Sequence, residues 1–296
     1  MISRLDLYRV FCQVGKHQSF SKAAKALYMT QPAVSQSIMQ LERELDIRLF
    51  TRTSKGVVLT NEGKLLFEYA SSAINLINVG EEKLLETKNL MTGNLKIGVG
   101  DTISRYFLLP YLEKFHNEYP NIKFKIINGT TLELCSIVKS GEVDIAICNF
   151  PIEDSALELR ECIDIHDIFV CGEKYKSVCS NKLSFNEIAK LPLILLEPIS
   201  ISRQYVEKYI LSKGVKITPE IELGSYDLLL EFTKINLGIA CVIKEFSQEY
   251  LQRGVLHEVK LIEEIPKRSI GLCFLKSVPL SPASTKFVEI LEGNYE

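Results

Sequence analysis

Residues 19–50 read SFSKAAKALYMTQPAVSQSIMQLERELDIRLF, and this stretch decides how the whole chain is interpreted. Phe20, Ala23, Ala24 and Leu27 follow the i, i+3, i+4, i+7 spacing of a helix with one buried face, and Val34, Ile38, Leu41 and Leu45 begin the pattern again. Tyr28, Met29 and Thr30 separate the two runs. Ser19 or Ser21 can cap the first helix and Thr30 the second, whose opening positions hold Gln31 and Pro32. A proline there forfeits nothing, because first-turn N–H groups have no partner inside the helix. The pattern predicts a helix-turn-helix, although periodicity alone also fits an ordinary αα-hairpin. The outward face of the second helix carries Gln31, Ser35, Gln36 and Gln40, uncharged but rich in donors and acceptors, as reading base edges in a major groove requires.

The flanks support the first interpretation. Upstream, Leu5, Leu7, Tyr8, Phe11, Cys12 and Val14 form an apolar stripe that predicts a helix packed behind the other two. Downstream, residues 48–60, RLFTRTSKGVVLT, read as a basic, glycine-containing hairpin, a wing. Residues 1–60 hold nine Lys and Arg against four Asp and Glu, an excess of five, whereas the chain as a whole carries a formal charge of −2. A basic terminal module on an otherwise acidic chain suits attraction to a phosphate backbone.

Residues 61–87 lack proline, and Leu66, Ala70, Ala73, Ile77, Gly80 and Leu84 recur in alternating steps of four and three. That is a heptad seam, buried either against its own module or against a second copy of the same helix. Around residues 88–94 the pattern changes to alternating short strands and helices. Strands are expected at 95–99, 123–127, 143–148, 168–171, 193–196, 220–223, 239–242 and 269–274. Helices are expected near 104–119, 132–139, 202–213, 226–235, 244–253 and 282–291, an alternation that predicts mainly parallel sheets covered by helices. The last strand and helix suit the first α/β unit better than the central one. The expected organisation is therefore a multidomain chain: a winged helix-turn-helix over 1–60, a linker or dimerisation helix over 61–88, and a two-subdomain α/β module over 93–296. Subdomain I comprises 93–163 plus 267–296, and subdomain II comprises 164–266. Two lobes joined by two crossing segments enclose a cleft.

The residues Phe11, Ser19-Phe20-Ser21, Ala23-Ala24, Leu27, Thr30-Gln31-Pro32-Ala33-Val34-Ser35, Ile38, Leu41-Glu42, Leu49-Phe50, Arg52, Leu59-Thr60 and Gly63 resemble, in this order, the amino-terminal pattern of the LysR-type transcriptional regulators. The remainder of the chain resembles that family in layout. The resemblance implies pairing through the linker helix, higher assembly to a homotetramer, and an effector domain with the architecture of type II periplasmic binding proteins. The implied partners are double-stranded promoter DNA with two-fold-related halves and a small-molecule effector. On this basis Ser21, Thr30, Gln31, Pro32, Ser35 and Gln36 are the expected DNA-reading residues, with Arg52 and Lys55 of the wing on phosphates.

Three segments follow the carboxyl ends of expected strands and open helices: residues 98–104 (GVGDTIS), 129–131 (GTT) and 198–202 (PISIS). Open α/β sheets bind ligands at such places, and helix amino termini favour anions. In the resembled family the matching segments line the effector pocket, which makes Thr102, Ser104, Thr131, Ser200 and Ser202 the expected effector-binding residues; the several hydroxyls at helix starts themselves suggest a small anion, a carboxylate or inorganic oxyanion, as the ligand. Each hydroxyl taken singly is equally a helix cap. Arg203 either adds positive charge there or points to solvent.

Catalytic chemistry is weakly represented. Residues 98–104 lack the third glycine of a dinucleotide loop, and no G-K-[ST], H-E-x-x-H or G-x-S-x-G occurs. The four histidines are scattered, so no catalytic residue, metal or cofactor is expected. The eight cysteines contain no C-x-x-C pair, which suits free thiols in a reducing compartment. Cys162, Cys171 and Cys179 nevertheless keep a thiol-based redox regulator as an alternative. A solute-binding protein or an enzyme with an α/β cleft is the alternative from another class, and it leaves residues 1–88 unexplained. No apolar run approaches the ~18 residues of a membrane span, and the amino terminus lacks a secretion signal's apolar core, so a cytoplasmic location is expected.

Overall fold

The computed structural model describes residues 4–53, 56–86 and 93–293. The chain divides into two compact units, the first made of the amino-terminal helices and hairpin and the second of the sheets that follow. Ser54 and Lys55 of the expected wing, and residues 87–92 at the expected boundary, lie outside the described residues.

In the first unit α1 (Leu5–His17), α2 (Phe20–Ala26) and α3 (Gln31–Leu45) are followed by a hairpin of β1 (Phe50–Thr53) and β2 (Gly56–Leu59), then by α4 (Asn61–Glu86). Phe11, Val14, Ala23, Val34 and Leu41, positions that the helical spacing assigned inward, are fully or almost fully buried, and Leu49 ahead of the hairpin joins them. Phe11 anchors this core, its ring 5.4 Å from that of Phe50 and 6.3 Å from that of Phe67. The cap of α2 is Ser19, whose hydroxyl accepts from the Lys22 N–H at 3.3 Å; Ser21 is a first-turn residue instead.

Polar side chains fix the hairpin against the helices. The Glu42 carboxylate accepts the backbone N–H groups of Leu49 and Phe50 at 2.7 and 3.1 Å, tying α3 to the start of β1. Thr60 donates its hydroxyl to the Arg48 carbonyl at 2.8 Å and accepts the Gly63 N–H at 2.9 Å, so it links the hairpin to α4. At Gly63 a Cβ would strike the Leu49 carbonyl, so only glycine lets α4 approach this closely. The heptad seam divides along α4. Leu66 and Ala70 pack into the first unit's own core, while Ala73, Ile77, Gly80 and Leu84 are exposed. Leu65 and Tyr69, 60% and 72% exposed, continue the uncovered stripe in their place, so the free apolar line is displaced by one residue in its first half.

The second unit contains two five-stranded sheets. The first lobe holds β3 (Gly93–Val99), α5 (Asp101–Ile103), a π-helical turn (Ser104–Leu108), α6 (Leu109–Glu118), β4 (Ile122–Ile127), α7 (Thr131–Lys139), β5 (Ile145–Asn149) and β6 (Leu157–Ile165). The second lobe holds β7 (Asp167–Cys171), a 3-10 helix (Glu173–Ser180), α8 (Phe185–Ile188), β8 (Leu193–Leu196), α9 (Ile201–Ser212), β9 (Ile221–Leu223), α10 (Tyr226–Lys234), β10 (Ile239–Ile243), α11 (Gln248–Gln252) and β11 (His257–Val259). The chain then returns to the first sheet with β12 (Arg268–Leu275) and closes with α12 (Pro282–Glu292).

The sheets are mixed, where alternation predicts mainly parallel ones. Their orders are β4-β3-β5-β12-β6 and β11-β7-β10-β8-β9. In each sheet four strands run the same way and one is reversed: β12 runs antiparallel to its neighbours β5 and β6, and β7 antiparallel to β10 and β11. The unexpected strands are β6 and β11. Over Leu157–Ile165, LELRECIDI, four of nine residues are charged, which is ordinary for the edge strand it proves to be and hides it from a search for apolar runs.

The lobes meet where β6 passes into β7 and where the chain re-enters β12, and these crossings are adjacent because Arg268 pairs with Ile165 in the ladder. A buried ion pair lies at this junction. Arg268, on the first residue of β12, grips Asp167, on the first residue of β7, through Nε at 2.6 Å and Nη2 at 2.9 Å. Its remaining donors reach Asn149 at the end of β5 (2.6 Å) and the Ser202 hydroxyl in α9 (2.9 Å). Because removing one partner leaves a buried charge without its counterion, Arg268→Leu should destabilise the protein by about 3–5 kcal/mol. The double variant Asp167→Leu/Arg268→Leu should lose less than the single one, and urea unfolding of the three proteins measures the order.

Candidate DNA-reading surface and ligand cleft

Between α2 and α3 the turn comprises Leu27 to Thr30, with Tyr28 in the left-handed region at φ 54°. Thr30 caps α3 by accepting the Ala33 N–H at 3.4 Å, and Pro32 lies in the first turn. Gln31, Pro32 and Gln36 are exposed, and Ser35 is half-buried and accepts a hydrogen bond from the Gln31 side-chain amide at 3.1 Å. Ser21 is exposed at the start of α2, and Lys22 and Lys25 are exposed farther along it. Arg52 lies on β1. Position in the fold adds Tyr28, 99% exposed at the turn, a large aromatic presented to solvent beside the start of α3. Its place in the interruption between two helical patterns was the only signal in the sequence.

In the second unit a cavity of about 300 Å³ opens between the lobes. Thr102 and Thr131 line it from the first lobe, and Ser200 and Ser202 from the second, so four of the five expected hydroxyls converge. Ser104 is not among the lining residues. It stands two positions beyond Thr102, about 200° around a helix, and so faces another direction. Lining residues that periodicity did not single out are Asn128, Asn149, Glu197 and Tyr226. Tyr226 follows the cap Ser225 at the start of α10, and so obeys the same strand-then-helix rule that found the others. Its hydroxyl is held at the bottom of the wall, donating to the Ile243 carbonyl at 3.1 Å and accepting the Ile243 N–H at 2.9 Å, and burial pushes its pKa well up.

The charge of this lining departs from the expected anion site. Asp101, Glu133 and Glu197 contribute carboxylates, and the lining residues include no Lys, Arg or His. Glu133 already occupies the amino terminus of α7, where its carboxylate accepts the Thr130 N–H and hydroxyl, each at 2.8 Å, bonds that hold its pKa below the ordinary range. A helix terminus so neutralised attracts a second anion less strongly. Arg203 neither enters the cavity nor reaches solvent. Its buried side chain is bound to Glu207 (2.8 Å), Glu222 (2.7 Å) and the Leu196 carbonyl (2.7 Å). Among the described residues no group of His, Cys, Asp and Glu is arranged to hold a metal, and no helix is long and apolar enough to cross a membrane.

A second set of contacts joins the lobes beside the cavity. Asp227 of α10 accepts hydrogen bonds from Arg105 at 2.9 Å and Tyr106 at 2.6 Å, both on the π-helical turn of the first lobe. The Tyr106 ring stacks on Phe246 with centroids 5.4 Å apart. The lobes are thus attached at the crossing strands and at this latch, with the cavity lined by both.

A winged helix-turn-helix followed by a two-lobed α/β binding unit defines a transcription regulator, not an enzyme. The chain belongs to the LysR family: residues 5–64 match the bacterial regulatory helix-turn-helix protein of the lysR family, and residues 88–295 match the LysR substrate binding domain. It is 27% identical over 294 residues to a probable RuBisCO transcriptional regulator of Chlorokybus atmophyticus, covering 96% of this chain and 92% of that one. A probable RuBisCO transcriptional regulator of Nostoc sp. strain PCC 7120 is also 27% identical, covering 96% and 86%. In fold the chain is similar to a full-length OxyR variant from Pseudomonas aeruginosa, with TM-score 0.71, 19% identity and coverage of 98% and 93%. Full-length CbnR complexed with its target DNA gives TM-score 0.65 at 16% identity, covering 97% and 98%.

Proposed function

We propose that this regulator reads promoter DNA in the cytoplasm as a homodimer able to assemble further to a tetramer, and that a small polar effector held between the lobes of the second unit changes how the DNA is held. The observation that carries the effector role is the cavity of about 300 Å³ with hydroxyls from both lobes on its walls. A ligand shifts a conformational equilibrium only through its difference in affinity for the two states, so contacts on both lobes are what a signal requires. Helix termini alone would select an anion. The three lining carboxylates and the absence of a lining cation favour instead a ligand that is uncharged or zwitterionic.

For DNA, Gln31, Pro32, Ser35 and Gln36 on the first turns of α3 contact bases or nearby sugar-phosphate, with Ser21 and Thr30 beside them and Arg52 and Lys55 on phosphates. The exposed line Leu65, Tyr69, Ala73, Ile77, Gly80 and Leu84 on α4 supports pairing with a second copy, which would place two reading helices on two-fold-related half-sites.

Gln36→Ala should change sequence preference in a binding-site selection experiment, whereas Lys55→Ala should weaken all sequences alike and reduce the salt slope by about one. Identical effects of the two substitutions would contradict this division of labour. Ile77→Glu introduces like charges into the paired helices and should convert dimers to monomers in light scattering; an unchanged mass rules the seam out. Thr102→Val with Thr131→Val removes two lining hydroxyls at nearly constant volume without touching the Ser202–Arg268 bond. The double variant should keep the effector-free footprint and lose the effector-dependent change in footprint length or bending, as DNase protection with and without effector will show. A retained response would place the effector elsewhere.

A further inference from the structure

Outside the cleft, two thiols of the second lobe stand together. Cys171, the last residue of β7, has its Sγ 3.4 Å from the Sγ of Cys179 on the 3-10 helix Glu173–Ser180. The environments of the two sulfurs differ. Cys171 is fully buried, and burial together with its hydrogen bond to Cys179 pushes its thiol up to about 12. Cys179 is partly exposed, on a surface helix that contains no buried residue. Neither cysteine belongs to the lining of the ligand cavity.

We propose that Cys171 and Cys179 form a reversible dithiol–disulfide site, oxidised by hydroperoxides, that responds separately from the cleft. The Cys179 thiolate attacks a peroxide oxygen, the O–O bond breaks, and the departing alkoxide or hydroxide takes up a proton to leave as alcohol or water, giving a sulfenic acid at Cys179. The Cys171 sulfur then attacks that sulfur and the S–O bond breaks. The Cys171 proton leaves with the hydroxyl as water, so two thiols are oxidised by two electrons and one peroxide is reduced. The second step needs no solvent access to Cys171, because its partner sulfur is already in contact. Shortening 3.4 Å to the ~2.05 Å of a disulfide requires a shift of little more than an ångström, which a single surface helix can supply.

The bond would add a covalent tie at the far end of the 3-10 helix, where Val178 and Cys179 pack against the second lobe's core. Its beginning is already held: Lys174 donates its N–H to the Asn236 side chain at 2.8 Å, and Glu173 meets His257 at 2.8 Å. At Gly172, between strand and helix, a Cβ would collide with the Thr233 carbonyl, so the path out of β7 is fixed as well. Oxidation therefore adds a restraint at Cys179.

The test treats the reduced full chain with hydrogen peroxide, alkylates free thiols after unfolding, and maps the peptides by mass spectrometry. Two of the eight cysteines should become resistant to alkylation, in a linked Cys171–Cys179 peptide pair that dithiothreitol releases. In Cys171→Ser, Cys179 should proceed to the irreversible sulfinic acid, having lost its resolving partner; in Cys179→Ser, Cys171 should stay reduced. Full alkylation of both thiols after peroxide, or sulfinic acid at Cys179 of the unmodified sequence without any linked peptide, would overturn the proposal.

Discussion

The buried contact between Arg268 and Asp167 is the constraint on which the second unit depends. A guanidinium enclosed by protein must spend its donors on acceptors, because an uncompensated charge in a low-dielectric interior is costly. Here those acceptors come from three elements, and a fourth carries the arginine. Asp167 begins β7, Asn149 ends β5, Ser202 is in the first turn of α9, and Arg268 itself begins β12. One side chain thus holds together both crossing segments and two walls of the cleft. Asn149 and Ser202 line the cavity on one side and bind Arg268 on the other, so a ligand that moves either is in contact with the joint between the lobes.

The latch beside the cavity completes this geometry. Asp227 receives Arg105 and Tyr106 from the opposite lobe, and Tyr106 lies among the rings of Tyr226 and Phe246. The turn that presents these residues is π-helical, an arrangement that recurs at functional sites because it redirects side chains without ending the helix. The buried Arg268 junction and this latch therefore both join the lobes.

In the first unit the polar residues of the family pattern do mechanical work. Glu42, Thr60 and Gly63 never approach the exposed face of α3, yet the first satisfies two N–H groups of the hairpin, the second joins the hairpin to α4, and the third allows the close approach. These residues hold the wing in register with the reading helix. The same helix presents Gln31 and Gln36 to solvent on its other face.

The sequence by itself determined the elements whose signals are local. Helical spacing around Phe11, Val34 and Leu41 located a three-helix core, the caps Ser19 and Thr30 marked helix starts, and a change of period near residue 93 marked the transition to α/β structure. Four of the five hydroxyls expected at the cleft do line the cavity, because helices that open after strand ends converge there, a rule about connectivity. Only the tertiary structure decided what depends on partners distant in the chain. The edge strand β6 is too charged to announce itself and exists because β12 lies beside it. The heptad seam of α4 loses Leu66 and Ala70 to its own core and takes up Leu65 and Tyr69, a displacement set by which face meets α1. The charge of the cleft is the clearest case: Arg203 looked available from its position, yet two glutamates at 207 and 222 claim it, and three carboxylates from separate segments converge where helix termini alone promised an anion site. Charge at a site is a sum over neighbours in space, and adjacency in sequence supplies only part of that sum.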